Sequence, residues 1–207
     1  NVLGSGRTDA GVHALEQVAA FNLANPIPAA NLKKAINRLL PPAIRVLTVE
    51  EAPPDFHPRF QAVAKTYQYR IWRGETCPPF ERLYVYHYPY PLDEGRVVAL
   101  APLFEGEHDF SAFAASDEKD ALGGSKVRTI FRSEARRDGE RLLYTVTGSG
   151  FLKHMVRNLA GILLEAGKGN IGEGAIRRLL EPGCATKGGP SLPSRGLFLV
   201  SVRYPDP

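Results

Sequence analysis

Asp138-Gly139 stands between two strand-like runs, KVRTIFRSEAR and ERLLYTVTG, and no other feature of this sequence restricts the fold as tightly. An Asp-Gly pair between such runs is a hairpin signal, so this part of the chain reads as antiparallel sheet. Upstream, AVAKTYQYRIW (62–72) reads as a strand with Val63, Tyr67, Tyr69 and Ile71 on one face. A short helix is expected from about residue 92 to Pro102, followed by a loop, GEHDFSAF. Helices near 152–166 and 172–181 follow the hairpin, and GLFLVSVRY closes the chain as a strand. The resulting order is strand, helix, strand, strand, helix, strand with one additional helix, the split βαβ order.

The first part of the chain is shorter. QVAAFNL (17–23) reads as a strand, and Pro26 and Pro28 lead into a helix with Leu32, Ala35, Ile36, Leu39 and Leu40 at helical spacing. Pro41 and Pro42 stop that helix, IRVLTVEEA (44–52) reads as a strand, and PPDFHPRF connects it onward. This order matches the second part if a leading strand and helix are absent. The chain begins at Asn1 within a glycine-rich stretch, and it is expected to be truncated at its N-terminus. The expected class is α+β: two βαββαβ-like halves with mainly antiparallel sheets and a central cleft. Residues 1–60 form the truncated N-terminal half and residues 61–207 the C-terminal half.

Charge narrows the partners. The 207 residues carry a net charge of +4, with an isoelectric point near 9.1, and 18 of the 26 basic residues are arginine. That balance suits an anionic partner, and the arginine fork suits phosphate. Cys77 and Cys184 lie far apart with no CxxC and no clustered histidines, so neither a zinc site nor a disulfide framework is indicated. A reducing cytosol fits, and no apolar run approaches membrane-spanning length. There is no GKS/T phosphate loop, and no Ser, His and acid arrangement converges by motif. His108 and Asp109 in GEHDFSAF are read as serving loop structure.

Residues 4–21, GSGRTDAGVHALEQVAAF, hold a lone aspartate between an arginine and a glycine turn. On turn chemistry alone Gly4, Gly6 and Gly11 supply backbone freedom and Asp9 is a turn residue. The stretches GRTDAGVHA, FHPRF, AKTYQYRI, GSGFLKHMVRNLAGILLEAGKG and RGLFLVSVRYP then recur in the order and spacing of one family. Over nearly its whole length the chain resembles the tRNA pseudouridine synthase A family. The resemblance implies isomerisation of uridines 38, 39 and 40 in the tRNA anticodon arm, with neither metal nor organic cofactor. It also implies a homodimer working on tRNA in the cytoplasm.

Such an isomerase breaks the C1′–N1 bond, turns the base and joins C1′ to C5, a step in which a carboxylate can serve as nucleophile or electrostatic partner. By resemblance Asp9 is that carboxylate; attack on the sugar, attack on the base and help in deprotonating C2′ all stay open. A guanidinium beside it opposes protonation, and the family's third motif gives that place to Arg157. On the same helix Leu152, Met155, Val156, Leu159 and Leu163 form an apolar stripe, with His154, Arg157 and Gly161 opposite. Lys153 and His154 take RNA-contact or structural roles. The resemblance implies that Tyr67 stacks on the target base, although a tyrosine alternating with Val63, Tyr69 and Ile71 can equally be core, and Tyr69 is expected to pack in the core. Arg59 matches an arginine that the family uses near the RNA entry, and Lys65 stands where many relatives carry arginine. Arg7 either pairs with Asp9 or grips a phosphate. Leu192 replaces a residue that is usually small. The alternative reading is a tRNA-binding module or fragment without catalysis.

Overall fold

The computed structural model describes residues 1–115, 124–184 and 186–205. Mixed α and β elements with mainly antiparallel pairing make up two compact units.

The first unit comprises Asn1–Ser5 and Val18–Gln61. Strands β1 (Val2–Gly4) and β3 (Ala19–Phe21) pair antiparallel, and helix α1 runs over Ala29–Leu39. Leu40 turns extended before Pro41, as a residue preceding proline prefers. Helix α1 buries none of its residues, and Leu39 is exposed. The strand expected over 44–52 does not form. Strand-like alternation becomes a strand only where a neighbouring edge takes up its backbone groups. Here Val46 instead donates its N–H to Asn37 Oδ1, and its carbonyl accepts from Asn37 Nδ2.

The second unit comprises Gly6–Gln17 and Ala62–Pro207, with the limits of description given above. Its sheet runs β2 (His13–Ala14), β9 (Leu197–Arg203), β4 (Ala64–Trp72), β8 (Arg141–Gly148), β7 (Val127–Asp138) and β6 (Gly106–Asp109), and β5 (Tyr86–His87) also pairs with β4. The chain crosses between units at 61/62, but residues 6–17 do not stay with the first unit as the expected 1–60 half requires. The reason is β2, which adds to the large sheet by pairing parallel with Phe198 and Leu199 of β9.

The expected hairpin joins β7 and β8, with Asp138 opposite Arg141. Its two central residues are Gly139 and Glu140, and only Gly139 has positive φ, as a type II′ turn requires. Half of the expected GEHDFSAF loop is an edge strand, since Gly106–Asp109 pairs with Val127–Ile130. Asp109 then accepts the Ser111 N–H and hydroxyl, and these bonds, chiefly the hydroxyl's, hold its carboxyl below the usual range.

Helices α2 (Glu94–Leu100) and α3 (Met155–Gly167) supply core-facing residues, and α4 (Glu173–Leu179) follows. Asp93 caps α2 by accepting the Arg96 N–H. Tyr69, Leu142, Tyr144, Val146, Leu159 and Leu163 lie within one buried cluster. Helix α3 starts at Met155 rather than 152 and is buried on almost all sides. A second layer covers the face opposite its apolar stripe. At Gly161 the chain at Pro190 approaches so closely that a Cβ would stand 1.9 Å from the Pro190 carbonyl oxygen.

Candidate active site

Asp9 opens a tight turn in which its carbonyl accepts the Val12 N–H, with Gly11 at φ 83 in the third position. A side chain at Gly11 would also meet Ser194 Oγ at 2.8 Å, so that position has two reasons to be glycine. After the turn, His13 stacks on Phe198 and contacts the Leu83 carbonyl, and the Leu15 N–H reaches the Leu199 carbonyl. Asp9 is thus a turn residue, and its turn is tied to β9.

Strand β9 neighbours β4, where Tyr67 lies opposite Leu199. The β4–β9 register slips between Thr66 and Tyr67, an irregularity of the kind that re-aims side chains near sites. Tyr67 packs edge-on against Phe151 at 5.1 Å. Burial, and after it the charge of Asp9, push the Tyr67 hydroxyl up to about 12, so it stays protonated at neutral pH. Tyr69 donates to the Pro193 carbonyl, and burial raises its hydroxyl far above the usual range.

Helix α3 delivers the cation. Arg157 Nη1 donates to Asp9 Oδ2 at 2.8 Å, while its Nε donates to the Leu192 carbonyl at 2.6 Å. The Leu192 N–H returns to the Arg157 carbonyl, and Leu192 itself is buried. The Arg157 side chain is 15% exposed and that of Asp9 36%, so the pair sits where solvent still reaches the carboxylate. A charge-assisted bond of this kind balances the carboxylate and fixes its direction. His154, read from sequence as an RNA or structural residue, lies with Nε2 3.2 Å from the same Asp9 Oδ2.

Lys65 on β4 stands near Gly6, where a Cβ would meet its Nζ at 3.7 Å. Arg7 and Lys153 are exposed, and Arg7 forms no ion pair with Asp9. Arg59 belongs to the first unit, where its N–H reaches His57 Nδ1 and its guanidinium lies 6.0 Å from the Phe60 ring centre. His108 lies on the edge strand β6 rather than in a loop, and its ring contacts the Glu105 carbonyl. No group of three or more His, Cys, Asp or Glu among the described residues is arranged to hold a metal.

Sequence reasoning missed two features of the site: the His154 contact with Asp9, and the Leu192 carbonyl that anchors Arg157. The first has no local signal, because a left-handed histidine cannot be told from a right-handed one in the sequence. The second was visible only as an unusual residue at position 192.

A family model described as tRNA pseudouridine synthase matches residues 100–205. The tRNA pseudouridine synthase A of Solibacter usitatus is 62% identical over 204 residues, covering 99% of this chain and 82% of the relative. Proteins of that name from Limosilactobacillus fermentum and Geotalea uraniireducens are each 42% identical, covering 100% and 97% of this chain and 80% and 81% of theirs. On these matches the chain belongs to the tRNA pseudouridine synthase family.

Proposed function

We propose that this protein is an isomerase that converts uridines 38, 39 and 40 of the tRNA anticodon arm to pseudouridine, with Asp9 as its nucleophile. The observation that carries the reading is the Asp9–Arg157 contact, a half-exposed carboxylate held by a nearly buried guanidinium. A protein that only bound tRNA would gain nothing from presenting a negative charge to a polyanion. The uridine C1′–N1 bond breaks, the base turns, C5 joins C1′, the C5 proton leaves to solvent and N1 takes up a proton. Asp9 acts on the nucleotide while Arg157 keeps its charge balanced and its direction fixed. Tyr67 offers a ring face for the displaced base. Arg7, Lys65 and Lys153 of the second unit, and separately Arg59 of the first, are assigned to RNA contact, in keeping with the basic balance of the chain.

The finer architecture belongs to the same proposal. The second unit runs β4, α2, β7, β8, α3, β9 when its strands of two to four residues and the additional helix α4 are left aside, and β1, β3 and α1 of the first unit are read as part of a second βαββαβ plan. A homodimer and a cytoplasmic setting follow from the family resemblance. Free Cys77 and Cys184 suit a reducing compartment, and no described helix is long and apolar enough to cross a membrane.

The test is incubation with unmodified tRNA, derivatisation that marks pseudouridine, and mass spectrometry of the anticodon-arm fragment. Mass-tagged product at positions 38–40 is expected. Unchanged tRNA, or product confined to another arm, overturns the assignment.

A further inference from the structure

We propose that His154 is a positioning residue that acts with Arg157 to hold one oxygen of Asp9, leaving the other as the reacting oxygen; the inference rests on the isomerase reading above. Arg157 Nη1 and His154 Nε2 both approach Oδ2, at 2.8 and 3.2 Å. Among the described residues no hydrogen bond reaches Oδ1. A carboxylate hydrogen-bonded by Arg157 at one oxygen, with the His154 imidazole set against the same oxygen, has little freedom to rotate about Cβ–Cγ. Its second oxygen then presents its lone pairs along a set line, which is the geometry an attacking or charge-stabilising atom needs.

The backbone supplies the second observation. His154 precedes α3 with φ 61, and it is the one non-glycine residue with positive φ among those described. That conformation is unfavourable for a residue with a side chain, and glycine or asparagine adopts it more readily. The imidazole does not compensate by capping the helix, since its side chain makes no cap hydrogen bond; only its carbonyl serves the helix, accepting the Asn158 N–H. A histidine held in a glycine conformation at a helix start, with its ring turned to Asp9, is accounted for by what the ring does there.

Two variants separate backbone from ring. His154→Gly keeps the left-handed turn and removes the imidazole, and His154→Asn keeps the turn with a shorter, weaker donor. The measurements are thermal unfolding, tRNA affinity, and single-turnover release of tritium from tRNA labelled at uridine C5. The Gly variant is expected to melt no lower than the parent and to bind tRNA within about twofold. Its single-turnover rate is expected to fall between roughly 10- and 100-fold and to be restored in part by added free imidazole. The Asn variant is expected to be slower than the parent at equal melting temperature. A parent-like rate in either variant, or a lost rate in the Gly variant that imidazole does not restore, overturns the proposal. A parent protein that releases no tritium overturns the isomerase reading, and this proposal with it.

Discussion

Gly161→Ala places one methyl group where the fold has no room for it. The added Cβ would stand 1.9 Å from the Pro190 carbonyl oxygen and 3.1 Å from its carbon, when ordinary contact begins at 3.4 Å. Both neighbours are backbone atoms, so no side-chain rotation relieves the clash. Helix α3 is buried on nearly every side and has little space to withdraw, so the 190 segment must move by about 1.5 Å. Overpacking of this kind costs about 1–3 kcal/mol. For a unit of this size each kcal/mol lowers the melting temperature by roughly 2–4 °C, giving a fall of about 2–12 °C. The same movement reaches the site, because Leu192 is two residues beyond Pro190 and its carbonyl holds Arg157 Nε. A displacement of about 1 Å in catalytic geometry costs up to roughly 100-fold in rate. Thermal unfolding by circular dichroism and single-turnover tritium release from tRNA are the assays. An Ala variant that melts and turns over like the parent refutes both the close packing and the coupling through Leu192.

Tyr67→Phe is expected to keep tRNA affinity, since the ring face remains, whereas Tyr67→Leu is expected to lose about 1–3 kcal/mol of binding, read by filter binding or fluorescence anisotropy. Equal affinities for the two variants return Tyr67 to a packing role. Alkaline stability follows from the Tyr67 hydroxyl, which titrates at about 12 when folded and 10 in its reference state. A pKa raised by folding means that the folded state holds the proton longer, so the contribution is complete below pH 10 and is lost as pH rises through about 12. Tyr67→Phe removes the titrating group, and its denaturation midpoint is expected to fall less than the parent's between pH 10 and 12. Parallel decline of the two proteins contradicts that account.

Long elements were readable because their signals are local and repeated. The hairpin around Asp138-Gly139, the tyrosine strand and the α3 stripe each extend over many residues with one period. The two-residue strands β2 and β5 are too short to show any period, and β6 reads as loop because Glu105 to Asp109 is polar punctuation. Residues 44–52 failed in the opposite sense, since their alternation was strand-like but no strand partner takes up their backbone. In the site, Asp9 and Arg157 are 148 positions apart, a pairing that no local pattern encodes and that only the family motifs suggested. The contact of His154 with Asp9 depends on a backbone sign, and the closeness of Gly161 to Pro190 depends on tertiary approach. Neither leaves a trace in periodicity.

Asp9→Asn tests the central claim most directly, because it removes the charge while keeping nearly the same shape. Single-turnover pseudouridine formation in tRNA and equilibrium tRNA binding are measured side by side for the parent and the variant. A group needed in the transition state lowers turnover far more than binding, so the Asn protein is expected to form no detectable pseudouridine while binding tRNA within a few-fold of the parent. Turnover by the Asn protein close to that of the parent would contradict the assignment of Asp9 as the nucleophile.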